Sequence, residues 1–244
     1  MIEVDNLGFY YFKNKWLFKD ISLFINKGEI VTILGPNGRG KTTFLKCLVD
    51  INKPKSGYFK LDGKVGFVPQ LSTAPFGFTV LDIVLMGTSR KKTIFETLSN
   101  DNIKNAKYWL EKLEISHLED CEFSSLSGGQ RQMVLIARAL CYGEDILILD
   151  EPSSALDLAN QKKLLKLLKE LSNSGITVVM TTHSPNHALK VSNKTLMLFG
   201  EKEFIFGDTK SVVNKDNLTK LFETNIECVN YSLNGKNGIF ALTI

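Results

Sequence analysis

Thiols are few and scattered. Cys47, Cys121, Cys141 and Cys228 stand far apart with no C-x-x-C pair, which argues against both a zinc site and a disulfide framework and leaves reduced thiols as the expectation. No apolar run approaches the roughly 20 residues a membrane helix requires. The opening residues, Met1-Ile2-Glu3-Val4-Asp5, carry no basic then apolar leader, so a cytoplasmic location is expected. Net charge is only +4 over 244 residues, and the lysines come singly or in pairs such as Lys91-Lys92 and Lys162-Lys163. That is no basic stripe, and nucleic acid is not expected as a partner. Internal repeats and low-complexity linkers are absent too. With 43% hydrophobic and 23% charged residues, the chain is an ordinary globular one, long enough for a large core.

Against this plain background residues 35–43 stand out: Gly35-Pro36-Asn37-Gly38-Arg39-Gly40-Lys41-Thr42-Thr43. Upstream, Glu29 to Leu34 is a β-branched run of buried-strand length, and downstream Phe44, Leu45, Leu48 and Ile51 share one face at helical spacing. Between a strand and a helix the pattern G-x-x-x-x-G-K-[ST] is a phosphate-binding loop. Gly35, Gly38 and Gly40 allow positive φ and leave room for successive N–H groups to converge on a polyphosphate, and the helix N-terminus adds its own donors. Lys41 supplies a charge for the β- and γ-phosphates, the Thr42 hydroxyl suits Mg²⁺, and Thr43 suits the α-phosphate side. At ordinary residue usage such a pattern arises by chance in roughly one chain in a hundred of this length, and its flanks make accident rarer still.

The rest of the chain predicts where this loop sits. Ile2, Val4, Leu7, Phe9 and Tyr11, then Ile21, Leu23 and Ile25, alternate on either side of a Lys13-Asn14-Lys15 turn, the pattern of antiparallel strands with one buried face. Tyr58 to Leu61 and the run from Val65 predict further strands, the second stopped by Pro69 so that Gln70 opens a loop. From Leu71 to about Leu140 the texture is helical: Thr79 caps a helix reaching Met86, Asn102 to Leu113 puts Ile103, Ala106, Leu110 and Leu113 on one face, and Leu126-Ser127-Gly128-Gly129-Gln130 introduces the last helix. Strand texture returns at Ile146 to Leu149. Leu156 to Leu171 then reads as an amphipathic helix, Ile176 to Thr181 as a central strand, and Thr195 to Phe199 with Glu203 to Phe206 as a hairpin. Short helices follow Asp208, and a weak strand region covers Ile226 to Ile244. Strands alternating with helices imply a mostly parallel sheet. The expected fold is α/β, with one nucleotide-binding unit: a P-loop core of mostly parallel sheet with an N-terminal antiparallel β part (residues 1–70 and 141–207), a helical insertion (71–140) and a C-terminal extension (208–244).

Further residues complete the chemistry. The buried run Ile146 to Leu149 delivers Asp150 to the strand's C-terminal edge beside the phosphates, where it suits Mg²⁺. Glu151, one residue on, is placed to act as general base on the attacking water rather than as a solvated strand-end acid. His183 emerges after the strand ending at Thr181 and suits the γ-phosphate; His117 and His187 have no such setting and read as solvated. Tyr11 is the aromatic expected to stack on adenine, with Tyr10 in its place if the strand register is shifted by one.

Over residues 2–207 the chain resembles the ATP-binding subunit of an ABC transporter. Leu126-Ser127-Gly128-Gly129-Gln130 matches that family's signature sequence without a change. The resemblance makes Gln70 the Q-loop glutamine and a further Mg²⁺ ligand, Ser154-Ala155-Leu156-Asp157 the D-loop, His183 the switch histidine and Tyr11 the adenine-stacking aromatic. Thr42 and Ser153 replace the commoner serine and threonine, each keeping its hydroxyl. What the resemblance implies is a head-to-tail homodimer with two ATP clasped between the phosphate loop of one copy and the signature of the other. That dimer would sit as a peripheral assembly on the cytoplasmic face of the inner membrane, driving permease subunits and, indirectly, an extracytoplasmic substrate-binding protein. Residues 75–87, with Glu151 to Gln161, resemble ATPases of metal-chelate importers, placing iron(III)-siderophore first and molybdate or tungstate next, with haem, vitamin B12 and zinc or manganese as further alternatives. A soluble ABC ATPase serving a scaffold, as in iron-sulfur cluster assembly, is the competing class.

Overall fold

A computed structural model describes residues 1–13, 15–70, 75–88, 99–141, 143–233 and 235–244. The expected Lys13-Asn14-Lys15 turn and the expected helical stretch from Leu71 lie partly outside them, at Asn14, 71–74 and 89–98.

The chain opens with β1 (Ile2–Phe9), β2 (Phe18–Ile25), β3 (Ile30–Leu34), α1 (Lys41–Leu48), β4 (Ser56–Leu61) and β5 (Val65–Val68). α2 (Val80–Leu85), α3 (Asn100–Lys112) and α4 (Gly128–Leu140) follow. Next come β6 (Ile146–Leu149), α5 (Leu158–Asn173), β7 (Thr177–Thr182), α6 (Pro185–Val191), β8 (Lys194–Leu198) and β9 (Phe204–Asp208). The C-terminal part is α7 (Thr209–Val212), α8 (Lys215–Phe222), β10 (Ile226–Leu233) and β11 (Lys236–Thr243).

Two kinds of strand serve two kinds of sheet. Every residue of β3, β6 and β7 is buried, as befits strands covered on both faces, and they form the middle of a six-stranded sheet of order β5-β6-β7-β3-β8-β9. All its pairs are parallel except the β8–β9 hairpin at the edge. β2 instead alternates buried and exposed residues and lies in a small antiparallel sheet of order β2-β1-β4. The parallel arrangement has one decisive consequence: the C-terminal ends of β3, β5, β6 and β7 emerge along the same edge, bringing together the segments that follow them.

Three cores hold these layers. Phe44, Leu45 and Leu48 of α1 share one with the antiparallel sheet and with Val31 and Ile33 of β3. A second joins α2, α3 and α4 to α5, β6 and β7. The third packs α6, α7, α8 and the β10–β11 hairpin around Leu34 and Met197. Helix starts follow their caps. Thr79 and Asp82 make a capping box for α2, Ser127 and Gln130 one for α4, and Asp157 caps α5 by accepting the Asn160 N–H.

Several boundaries differ from the sequence reading. α1 stops at Leu48 because Asp50 turns to φ +56° and the Ile51 and Asn52 N–H groups bond back to the Lys46 carbonyl, which leaves Ile51 exposed instead of on the helix face. α5 begins at Leu158, since Asp157 spends its carboxylate on the cap. The cysteines are free, and burial pushes the Cys47 and Cys141 thiols up to about 12 and about 11.

Candidate active site

A cleft of about 490 Å³ lies at the shared strand edge, lined by Tyr11, Leu17, Asn37, Gly38, Gly40, Lys41, Thr42, Thr43, Gln70, Glu151, Ser154 and His183. Its floor is the β3–α1 loop. Gly40 ends that loop at φ +94°, and a Cβ there would stand 2.9 Å from the Leu17 side chain, so both conformation and space call for glycine. Gly35 is not a positive-φ residue as expected; a Cβ on it would approach the Leu198 carbonyl to 3.2 Å, so close packing is its reason. The Lys41 ammonium, almost fully buried, donates to the Gly35 and Pro36 carbonyls at 2.7 and 3.1 Å and stands 3.4 Å from Glu151 Oε1. Arg39 is not part of the wall; its guanidinium donates to Glu223 Oε1, just beyond α8, at 2.8 Å.

Behind the loop the β6 terminus supplies two carboxylates. Asp150 Oδ1 accepts from the Thr42 hydroxyl at 3.0 Å and from the Thr181 hydroxyl at 2.7 Å. The Thr181 oxygen in turn accepts the Glu151 N–H at 2.8 Å, so one buried threonine of β7 fixes both acids. Glu151 takes a left-handed conformation, φ +49°, which turns the chain sharply. Its Oε2 lies 3.0 Å from His183 Nδ1. Tyr11 is 62% exposed, packs edge-on against Phe9 and holds its hydroxyl 3.0 Å from Thr43 Oγ1. Tyr10 packs on Trp16 instead, so of the two tyrosines Tyr11 is the one on the cleft.

Leu126 is buried, whereas Ser127 and Gly128 are exposed at the start of α4, and none of the residues from Leu126 to Gln130 lines this cleft. Ser127 and Gln130 bond to each other's backbone N–H at 3.3 and 3.0 Å. Ala155 and Leu156 lie against this helix start: a Cβ on Gly129 would be 3.2 Å from the Ala155 carbonyl. Ser154 lines the cleft, while Ala155, Leu156 and Asp157 do not.

Residues 18–154, more than half the chain, match the ABC transporter family. The chain belongs to that family. Among its relatives, the molybdate import ATP-binding protein of Haemophilus influenzae is 46% identical over 222 residues, covering 91% of this chain and 87% of the relative. A Helicobacter pylori protein named for iron chelatin transport is 36% identical over 244 residues, covering 94% and 95%. Among solved structures, an inward-facing ABC transporter named as metal-chelate type aligns with TM-score 0.93 at 41% identity, over 100% of this chain and 97% of that one. The fold is therefore that of an ABC ATPase.

Motif reading did not find Leu17, Thr181 or the contact between Ser153 Oγ and His187 Nδ1 at 3.2 Å. His187 is half-buried rather than solvated as expected, and burial together with His183 and Lys190 pushes it below the ordinary imidazole range, partly offset by Glu151. Its spacing, four residues beyond His183, was the available signal. His117 is exposed, in line with the expectation for it.

Proposed function

We propose that the chain is the ATP-hydrolysing subunit of an importer, working as a head-to-tail homodimer bound to separate permease subunits at the inner face of the membrane. The single observation that carries this reading is the placement of the signature: Ser127, Gly128 and Gly129 open α4 but do not line the chain's own cleft. The first-turn N–H groups of a helix have no intrahelical acceptor and attract anions; here the Gln130 N–H is taken by the Ser127 hydroxyl, and those of Gly128 and Gly129 are the ones offered to a nucleotide held by a second copy. Among the described residues no helix is long and apolar enough to cross a membrane, and in this reading the conducting path belongs to separate permease chains.

In this reading the Gly38 to Thr43 backbone and Lys41 hold the β- and γ-phosphates, and Tyr11 offers its exposed ring to the adenine. Thr42 Oγ1 and Asp150 Oδ1, already 3.0 Å apart, together with Gln70 form the hard-oxygen donor set that suits Mg²⁺, which when bound neutralises phosphate charge. Glu151 takes the proton of the attacking water as its oxygen bonds to the γ-phosphorus and the bond to ADP breaks. His183, hydrogen-bonded to Glu151, orients that water and donates to the γ-phosphate. The helical part that follows Gln70 then relays reopening of the dimer to the permease.

For cargo we favour molybdate or tungstate. The sequence patterns put iron chelate first, but the molybdate relative shares more of the sequence than the iron chelatin relative; iron(III) chelate stays the second reading because of the metal-chelate structural neighbour. Two measurements test the proposal. Glu151→Gln is expected to bind ATP normally, lose about 10²–10⁴-fold in hydrolysis and accumulate as an ATP-bound dimer by light scattering; undiminished turnover would reject the role. In the reconstituted complex with its binding protein, molybdate should stimulate ATPase activity; stimulation by iron chelate alone would favour the second reading.

A further inference from the structure

The turn after β6 carries the proposed base in a left-handed conformation, so what holds the turn matters. Thr181 grips its start through the Glu151 N–H. Gln161 of α5 grips its far end, donating to the Ser153 and Leu156 carbonyls at 3.3 and 3.0 Å. Between them stands Ser153, only 5% exposed, whose hydroxyl has no partner among the described residues other than His187 Nδ1.

His187 belongs to α6, which follows directly from His183. The α6 cap residue, Ser184, makes no side-chain cap bond, so the placement of the helix start relies on tertiary contacts. On one side Asn186 exchanges hydrogen bonds with the Ala241 backbone at 3.1 and 2.8 Å. On the other, two imidazoles four residues apart meet the same turn: His183 at the Glu151 carboxylate and His187 at the Ser153 hydroxyl. Around His187 stand Lys162 and Lys169 of α5, Lys190 of α6, Lys210 of α7 and Tyr231 of β10, in a concavity without a lining carboxylate; burial first, then His183 and Lys190, with Glu151 opposing, favours the neutral ring, which keeps a nitrogen free to pair with a hydroxyl.

We propose that His187 is a positioning residue for hydrolysis, locking α6 to the catalytic turn through Ser153 and so setting His183 against Glu151. This rests on the ATPase reading above. The test uses the full chain, with His187→Ala, His187→Asn, Ser153→Ala and the Ser153→Ala/His187→Ala double variant, and Glu151→Gln as the control. Each alanine variant should lower kcat about tenfold with the KM for ATP unchanged. The double variant should be no slower than either single one, because both remove the same link. Asparagine at 187, whose amide can meet the Ser153 hydroxyl, should recover most of kcat at a thermal midpoint matching the alanine variant or better. Unchanged kcat in both single variants, losses that multiply in the double one, or asparagine no better than alanine would each overturn the proposal while leaving the Glu151 role standing. Undiminished activity of Glu151→Gln would instead remove the reading on which it rests.

Discussion

Thr181 does more for the site than its place in a β-branched strand advertises. Its hydroxyl is buried, donates to Asp150 and accepts from the Glu151 N–H, so the isosteric Thr181→Val leaves an acceptor and a donor without that partner. Each such loss costs about 1–3 kcal/mol, and we expect urea unfolding to show a destabilisation of that order together with slower hydrolysis; wild-type values for both would refute the linkage. The contrast with Lys41, Thr42 and Asp150 is instructive. Those three sit in short linear patterns, so their candidacy is legible without a structure, and the fold brings Thr42 and Asp150 to hydrogen-bonding distance. Thr181 and Leu17 act through neighbours distant in sequence, and nothing local distinguishes them from buried threonines or rim residues; for the Ser153–His187 pair the one local signal is the four-residue spacing of His187 from His183. Tyr11 lay between these cases: alternation narrowed the choice to two tyrosines, and only the packing of Tyr10 on Trp16 separated them.

Helices and strands were read well where caps or continuous burial mark them and less well where backbone torsions end them. The all-buried β3, β6 and β7 and the capping boxes at Thr79 and Ser127 leave strong patterns. The end of α1 depends on Asp50 turning left-handed, which no periodicity reveals. α8 is the element whose role was least expected. Leu221, 1% exposed, belongs to the core around Leu34, and a Cβ on Gly35 would lie 3.9 Å from its Cδ1, so this helix backs the phosphate loop. Leu221→Ala should cost about 2–5 kcal/mol and weaken ATP binding, measured by thermal shift with and without nucleotide; normal ATP affinity in a folded variant would separate α8 from the loop. The nearby Arg39–Glu223 pair, more than a third exposed on both sides, should contribute no more than about 1 kcal/mol, so packing rather than charge carries that contact.

Across the whole chain, the parallel order of the central sheet is what turns scattered motifs into one site, because it delivers the ends of β3, β5, β6 and β7 to a common edge. The signature stands apart from the cleft they form, and two copies arranged head to tail would complete each other. The most direct test is the specific ATPase activity of the purified chain across a wide range of protein concentration, with Ser127→Arg in parallel. We expect activity per protomer to fall away on dilution, and the arginine variant to bind ATP yet stay inactive at every concentration. A concentration-independent rate, equal in wild type and Ser127→Arg, would contradict a shared active site.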